Sequence, residues 1–284
     1  MIEKRYVLSF GELATIETNN KNTADISVVF IHGWLDNAAS FSALMSQMAD
    51  KAPHLHLCAI DLPGHGHSDH KSADNFYPFH DYIDDIYQFL TILSPNRLVF
   101  VGHSLGALIS SCYSAAFPEQ VAALIQIEGF GPLAESEDKT VERLLNGIKS
   151  RQRIRKKPSR YFSSIEGAIQ KRARTNLVSC DAIRPIVQRG TKQIDNGQWC
   201  WRHDRKLLAD SLYRMSFAHA EALVERVTCP QLVILGKTGY EALKGTPKKS
   251  NKSLQFVEVE GAHHCHLEEQ IRVNDLILGL VNKI

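Results

Sequence analysis

Apolar residues fall into short dense runs separated by longer stretches in which they recur every three or four positions. The runs at 26–31, 55–60, 98–101, 121–127 and 231–235 have the length and β-branched content of strands buried on both faces. Residues 38–48, 79–93 and 267–281 have helical spacing instead; in the second, Ile83, Ile86, Tyr87, Leu90 and Leu93 share one side. Another helix begins near Gly106 and ends at Phe117-Pro118. Residues 6–10 and 14–18 flank Gly11-Glu12 and predict an opening β-hairpin, while 254–259 alternates as an edge strand does. Strands alternating with helices predict an α/β fold, with a mostly parallel central sheet flanked by helices and ligands at the strands' carboxyl ends. Residues 133–224 break the pattern, being polar, basic and helical without strand-like apolar runs. They predict an inserted helical lid on a core formed by 1–132 and 225–284.

The 284 residues suffice for one large domain with an inserted lobe, and 44% hydrophobic with 23% charged content is ordinary for a globular chain. No apolar run approaches the roughly 20 residues of a membrane span. Residues 1–6 lead straight into strand-like sequence without a signal-peptide pattern, so a cytoplasmic location is expected. The cysteines at 58, 112, 180, 200, 229 and 265 lack the close spacing of a disulfide framework or zinc site, and free thiols are expected. A net charge of +2 gives no overall attraction to nucleic acid. Between Lys149 and Arg174, however, ten cations face only Glu166. A solvated helix face is the usual meaning of such a stretch, an anionic acyl carrier such as a coenzyme A ester is an alternative partner, and no recognition fold or aromatic platform favours nucleic acid.

The run 98–101 stops at Gly102-His103-Ser104-Leu105-Gly106, where a strand must turn sharply into a helix. Glycine on both sides of Ser104 permits a strained turn and close approach by neighbouring elements, leaving Ser104 Oγ at the carboxyl end of a strand. A serine hydroxyl becomes a nucleophile only when a base takes its proton, and the base needs an orienting carboxylate.

These residues resemble the nucleophile elbow G-x-S-x-G of the α/β-hydrolase fold family, over residues 1 to about 132 and 225 to 284. The resemblance implies the chain order serine, acid, histidine. Gly261-Ala262-His263 looks like the family's histidine loop, making His263 the base; His264 and His266 are expected to be structural, and no metal is assigned to the cluster. Most relatives place the acid in a G-x-x-D turn after the penultimate strand. Here that place is Gly236-Lys237-Thr238-Gly239, without an aspartate. A minority of the fold, similar to haloalkane dehalogenases, takes its acid from the end of the strand after the elbow helix, which here is Glu128; Glu241 is the fallback. His32-Gly33-Trp34 resembles the family's oxyanion loop, so the backbone N–H groups of Trp34 and Leu105 are the expected oxyanion donors. His32 and Asp61 are expected to shape loops. Residues 153–212 resemble the lid of the serine hydrolase-like branch, and His103, Phe130, Phe162 and Trp201 are candidate pocket residues. The implied activity is hydrolysis of a carboxylic ester or related acyl compound through an acyl-serine, needing no cofactor. A thioester or C–C bond hydrolase, or a slow ligand-binding protein on the same scaffold, is the alternative.

Overall fold

The computed structural model describes residues 1–244 and 253–284. Along the chain the first six strands are β1 (Ile2–Leu8), β2 (Gly11–Glu17), β3 (Ile26–Ile31), β4 (His56–Ile60), β5 (Arg97–His103) and β6 (Val121–Ile127). Three short ones follow, β7 (Tyr161–Phe162), β8 (Thr191–Gln193) and β9 (Trp199–Trp201), and then β10 (Gln231–Gly236) and β11 (Leu254–Val259). The helices flanking the first half are α1 (Ser42–Lys51), α2 (Phe79–Leu93) and α3 (Leu105–Ala116). Next come α4 (Thr140–Lys156), α5 (Ile165–Asn176), α6 (Cys180–Gly190) and α7 (Phe217–Val224), and finally α8 (Glu241–Lys244), α9 (Cys265–Glu268) and α10 (Gln270–Val281).

Eight strands form one sheet in the order β1, β2, β4, β3, β5, β6, β10, β11. Pairing is antiparallel at β1/β2 and β2/β4 and parallel from β4 onward. Successive side chains of β3 point to opposite faces, both covered, which explains why its run is apolar except at Ser27, whose hydroxyl lies 3.1 Å from His56 Nδ1. Val28 and Phe30 pack with Met45 of α1 and Ile277 of α10. Val29 and Ile31 pack with Phe89 of α2 and Tyr113 of α3. Among the described residues no helix is long and apolar enough to cross a membrane.

Three elements differ from the sequence expectations. The hairpin turn lies at Ser9-Phe10, because Gly11, at φ +135, opens β2 opposite Leu8. The last helix is split, with α9 and α10 separated at Glu269. The segment after β6 is not purely helical, since β7, β9 and β8 form a small antiparallel sheet. Strands of two or three residues are too short to show a period, so the pattern could not reveal them.

The β5-to-α3 turn is sterically closed to any side chain at its glycines. A Cβ on Gly102 would lie 2.5 Å from Ala107 N, and one on Gly106 only 1.9 Å from Ile31 O. Gly279, within α10, has nothing within 4 Å of its Cβ position. Alanine at these two helical glycines should therefore have opposite effects. Gly106→Ala is expected to lower stability by roughly 3 kcal/mol, as backbone must move. Gly279→Ala should raise it by about 0.5–1 kcal/mol through helix propensity. Urea unfolding of both variants checks the pair, and a Gly106→Ala midpoint equal to wild type would contradict this steric account.

Candidate active site

Ser104 sits between β5 and α3 at φ 49 and ψ −115, a strained conformation for a residue with a side chain. Its N–H donates to Ile127 O at 2.8 Å, and its C=O accepts from Ala107 N–H at 2.9 Å, so backbone bonds hold the turn. Leu105 opens α3, where the first amides have no partner within the helix and the helix dipole is positive. The β3 loop comes close because residue 33 is glycine, whose Cβ position is 3.3 Å from Ser104 Cβ and 2.8 Å from His103 Nδ1. That approach brings Trp34 beside the turn. Its indole Nε1 donates to Leu207 O at 3.0 Å, anchoring the ring to the segment after β9.

Glu128 ends the run after β6 at φ 50, also strained, and is buried. Its Oε1 accepts from Gly236 N–H at 2.7 Å and its Oε2 from Tyr240 N–H at 3.1 Å. Oε2 lies 3.3 Å from His263 Nδ1. Burial works to raise the Glu128 carboxyl, but His263 and the two backbone amides outweigh it and hold the group below the usual carboxylate range. A Cβ on Gly239 would fall 2.1 Å from Glu128 Oε1. The carboxylate thus fills the space that a side chain at position 239 would need. Glu241 is exposed and pairs with Lys244 at 2.7 Å, away from this contact. The Tyr240 ring covers His263 at 4.3 Å between centroids. Among the described residues Ser104 Oγ makes no hydrogen bond to His263; such bonds commonly tighten only when substrate binds.

Behind Ser104 lies a buried polar network that sequence reasoning missed. His103 Nε2 donates to His263 O at 2.8 Å, tying the strand end to the histidine loop. Arg172 of α5 donates to Asp36 Oδ1 at 2.7 Å and to Leu35 O at 3.2 Å. His264 Nε2 lies 2.9 Å from Asn176 Nδ2 and 3.3 Å from Asp36 Oδ2. Burial would raise the Asp36 carboxyl, yet the His264 bond and the Arg172 guanidinium keep it well below its ordinary value. Asp36, His103 and His264 offer ligand atoms within 4.8 Å of one another. Arg172 holds Asp36 Oδ1, while Oδ2 is the oxygen that faces His264 and His103. No signal short of the fold brings residues 36, 172 and 264 together.

The remaining candidates are spread more widely. His103 is fully buried in the network just described. Phe130 packs on Phe256 at 5.4 Å between ring centroids, whereas Phe162 and Trp201 meet edge-to-face at 5.5 Å over the core of α5 and α6. His32 Nε2 accepts from Leu62 N–H at 3.0 Å, and Asp61 accepts from Ala38 N–H and His67 N–H at 2.7 Å each, both holding loops as expected. An apolar cavity of about 270 Å³ is lined by Trp34, Phe76, Leu105, Leu207 and Tyr213 among others. Phe76 also lines a larger one, of about 1020 Å³. Neither lining includes Ser104 or His263.

The family profile described as alpha/beta hydrolase fold matches residues 26–162. A serine hydrolase-like protein of Dictyostelium discoideum is 27% identical over 254 residues, covering 84% of this chain and 70% of the relative. Among solved structures, a hypothetical protein of Pseudomonas aeruginosa PAO1 superposes with a TM-score of 0.87 at 30% identity, over 99% of each chain. The thioesterase domain from the curacin biosynthetic pathway superposes with a TM-score of 0.82 at 20% identity, over 98% of this chain and 99% of the other.

The buried histidines give this site a pH-dependent stability. Burial and neighbouring imidazoles push His103 well below its ordinary value and His266, which bonds Ser40 Oγ at 2.8 Å, down to about 3. Both stay neutral in the fold but take up protons on unfolding once pH drops below about 6.5, so stability falls with falling pH in that window. Each contributes a slope of at most about 1.4 kcal/mol per pH unit. Urea midpoints are expected to decline from pH 7 to pH 5, and His266→Gln should make the decline shallower. An equal slope in a folded His266→Gln protein would remove His266 from this account.

Proposed function

We propose that this chain, which belongs to the α/β-hydrolase fold family, is a serine hydrolase cleaving a carboxylic ester or related acyl compound through an acyl-Ser104 intermediate. The observation carrying this is the Glu128 carboxylate set against His263 and occupying the space left by Gly239. A buried carboxylate on a strained backbone is costly unless it serves the histidine it touches.

In this mechanism Ser104 Oγ attacks the acyl carbon while His263 Nε2 takes its proton. Glu128 accepts from His263 Nδ1–H, fixing tautomer and ring orientation and stabilising the imidazolium. The tetrahedral oxyanion accepts hydrogen bonds from the Leu105 and Trp34 N–H groups, at the positive end of α3. His263 then protonates the leaving group as the acyl–oxygen bond breaks. Water attacks the acyl-Ser104 carbon, again giving its proton to His263, and the carboxylic acid departs. The apolar cavity beside Trp34 and Leu105 suits the acyl chain, and residues 133–224 act as its lid.

Ser104→Ala is expected to lower kcat for p-nitrophenyl esters by at least about 10³-fold and to abolish fluorophosphonate labelling mapped by mass spectrometry. Glu128→Gln should cost roughly 10²- to 10⁴-fold with the fold intact; full activity would sink the acid assignment. An absence of both turnover and label in folded wild type would favour the ligand-binding alternative. A transplant of the acid gives a sharper test. Gly239→Asp alone should destabilise the protein, because its side chain collides with Glu128. In a Glu128→Gly background, where glycine relieves the positive φ, Gly239→Asp should recover activity at least about ten-fold over Glu128→Gly. No recovery in the folded double variant would show that position 239 cannot reach His263.

A further inference from the structure

The basic stretch does not lie on one helix face. Arg155 lies in the last turn of α4, Lys157 and Arg160 follow the helix, and Lys171 comes from α5; around the larger cavity they meet Lys192 of β8. Among the described residues, ten lysines and arginines line this cavity against one carboxylate, Asp204. Asp204 is already satisfied, accepting from Tyr77 OH at 2.8 Å and lying 3.2 Å from Lys206 Nζ. Lys71 is held by Asp85 at 2.8 Å and Arg172 by Asp36. Arg155, Lys157, Arg160, Lys171 and Lys192 have no ion-pair partner among the described residues. Like charges gathered around a concave surface focus a positive field that a polyanion would relieve.

The cavity also has aromatic walls. Trp201 stacks on His203 at 5.7 Å and meets Phe162 edge-to-face, and burial pushes His203 down to about 4, leaving a neutral ring. Phe76 carries the Arg155 guanidinium at 5.0 Å and lines both this cavity and the apolar one that reaches Trp34 and Leu105. A solvated surface patch needs no aromatic walls.

We propose that the basic cavity binds the adenine nucleotide of a coenzyme A thioester, whose acyl group Ser104 attacks. The substrate assignment rests on the acyl-serine reading; the nucleotide site does not. Phosphate oxygens accept from the five unpaired cations, Arg supplying paired donors, and the adenine face stacks on the Trp201 or Phe162 ring. An acidic protein surface would use the charges but not the rings. In the reaction Ser104 Oγ bonds to the acyl carbon, the C–S bond breaks, and the thiolate takes the proton held by His263. Water then releases the carboxylic acid and restores Ser104.

Calorimetry with coenzyme A on the full chain, and on Arg160→Ala/Lys171→Ala/Lys192→Ala checked for folding by circular dichroism, tests the site. Wild type should bind, and the triple variant should bind at least about ten-fold more weakly. No binding by wild type at millimolar coenzyme A, or unchanged binding by the folded variant, overturns the proposal. Hexanoyl-coenzyme A, hexanoyl-pantetheine 4′-phosphate and p-nitrophenyl hexanoate are then compared on wild type. Hexanoyl-coenzyme A should exceed the pantetheine phosphate by at least about ten-fold in kcat/KM. Equal values overturn nucleotide recognition and point to a carrier protein as the source of the acyl arm. If the p-nitrophenyl ester is not cleaved and fluorophosphonate does not label Ser104, the acyl-serine reading fails, and coenzyme A calorimetry alone decides the binding site.

Discussion

The site depends on backbone approaching backbone at the end of β3 and the start of α3. With no Cβ at Gly106, Ile31 O comes nearer than any side chain would allow, and Gly102 does the same for the first turn of α3. That closeness has two consequences. It forces Ser104 into a strained conformation that lifts it out of both neighbouring elements, and it sets the Gly33–Trp34 loop against the serine. The rigidity of this turn is steric rather than supplied by a particular side-chain bond.

Glu128 shows a second use of the same device. Its backbone is left-handed, its carboxylate is buried, and two amides of the β10 turn hold it in place. Those amides belong to Gly236 and Tyr240, which bracket the turn that lacks an aspartate. The absence at 239 and the presence at 128 are therefore one structural fact, because both side chains would compete for the same volume. Behind them, His103 joins Ser104's strand to the His263 loop, while Arg172 and Asn176 join that loop's neighbourhood to α5. Helix α5 is thus fastened to the sheet's loops through charge-bearing contacts beside Ser104, where an unpaired partner would be costly.

Much of this was legible in the sequence, and for identifiable reasons. The runs at 26–31, 98–101, 121–127 and 231–235 are buried on both faces, so composition alone marks them as strands, and a strand–helix alternation leaves few topologies. The spacing of Gly102, Ser104 and Gly106 and the position of His263 after the final strand needed no long-range information. Short strands such as Thr191–Gln193 and Trp199–Trp201 escaped, because two or three residues carry no period and their pairing partners lie far along the chain.

The sequence by itself determined the sheet, the sharp turn and the residue types brought to its rim, since local backbone preference and burial are written in short windows. Only the tertiary structure decided what those residues meet. That Glu128 rather than Glu241 faces His263 depends on how β6 lies beside β10. That Asp36 is matched by Arg172, and that cations from 155 to 206 surround one cavity, depends on how the segment between β6 and β10 folds back. Electrostatic partnership is a property of distance in space, and distance along the chain does not encode it.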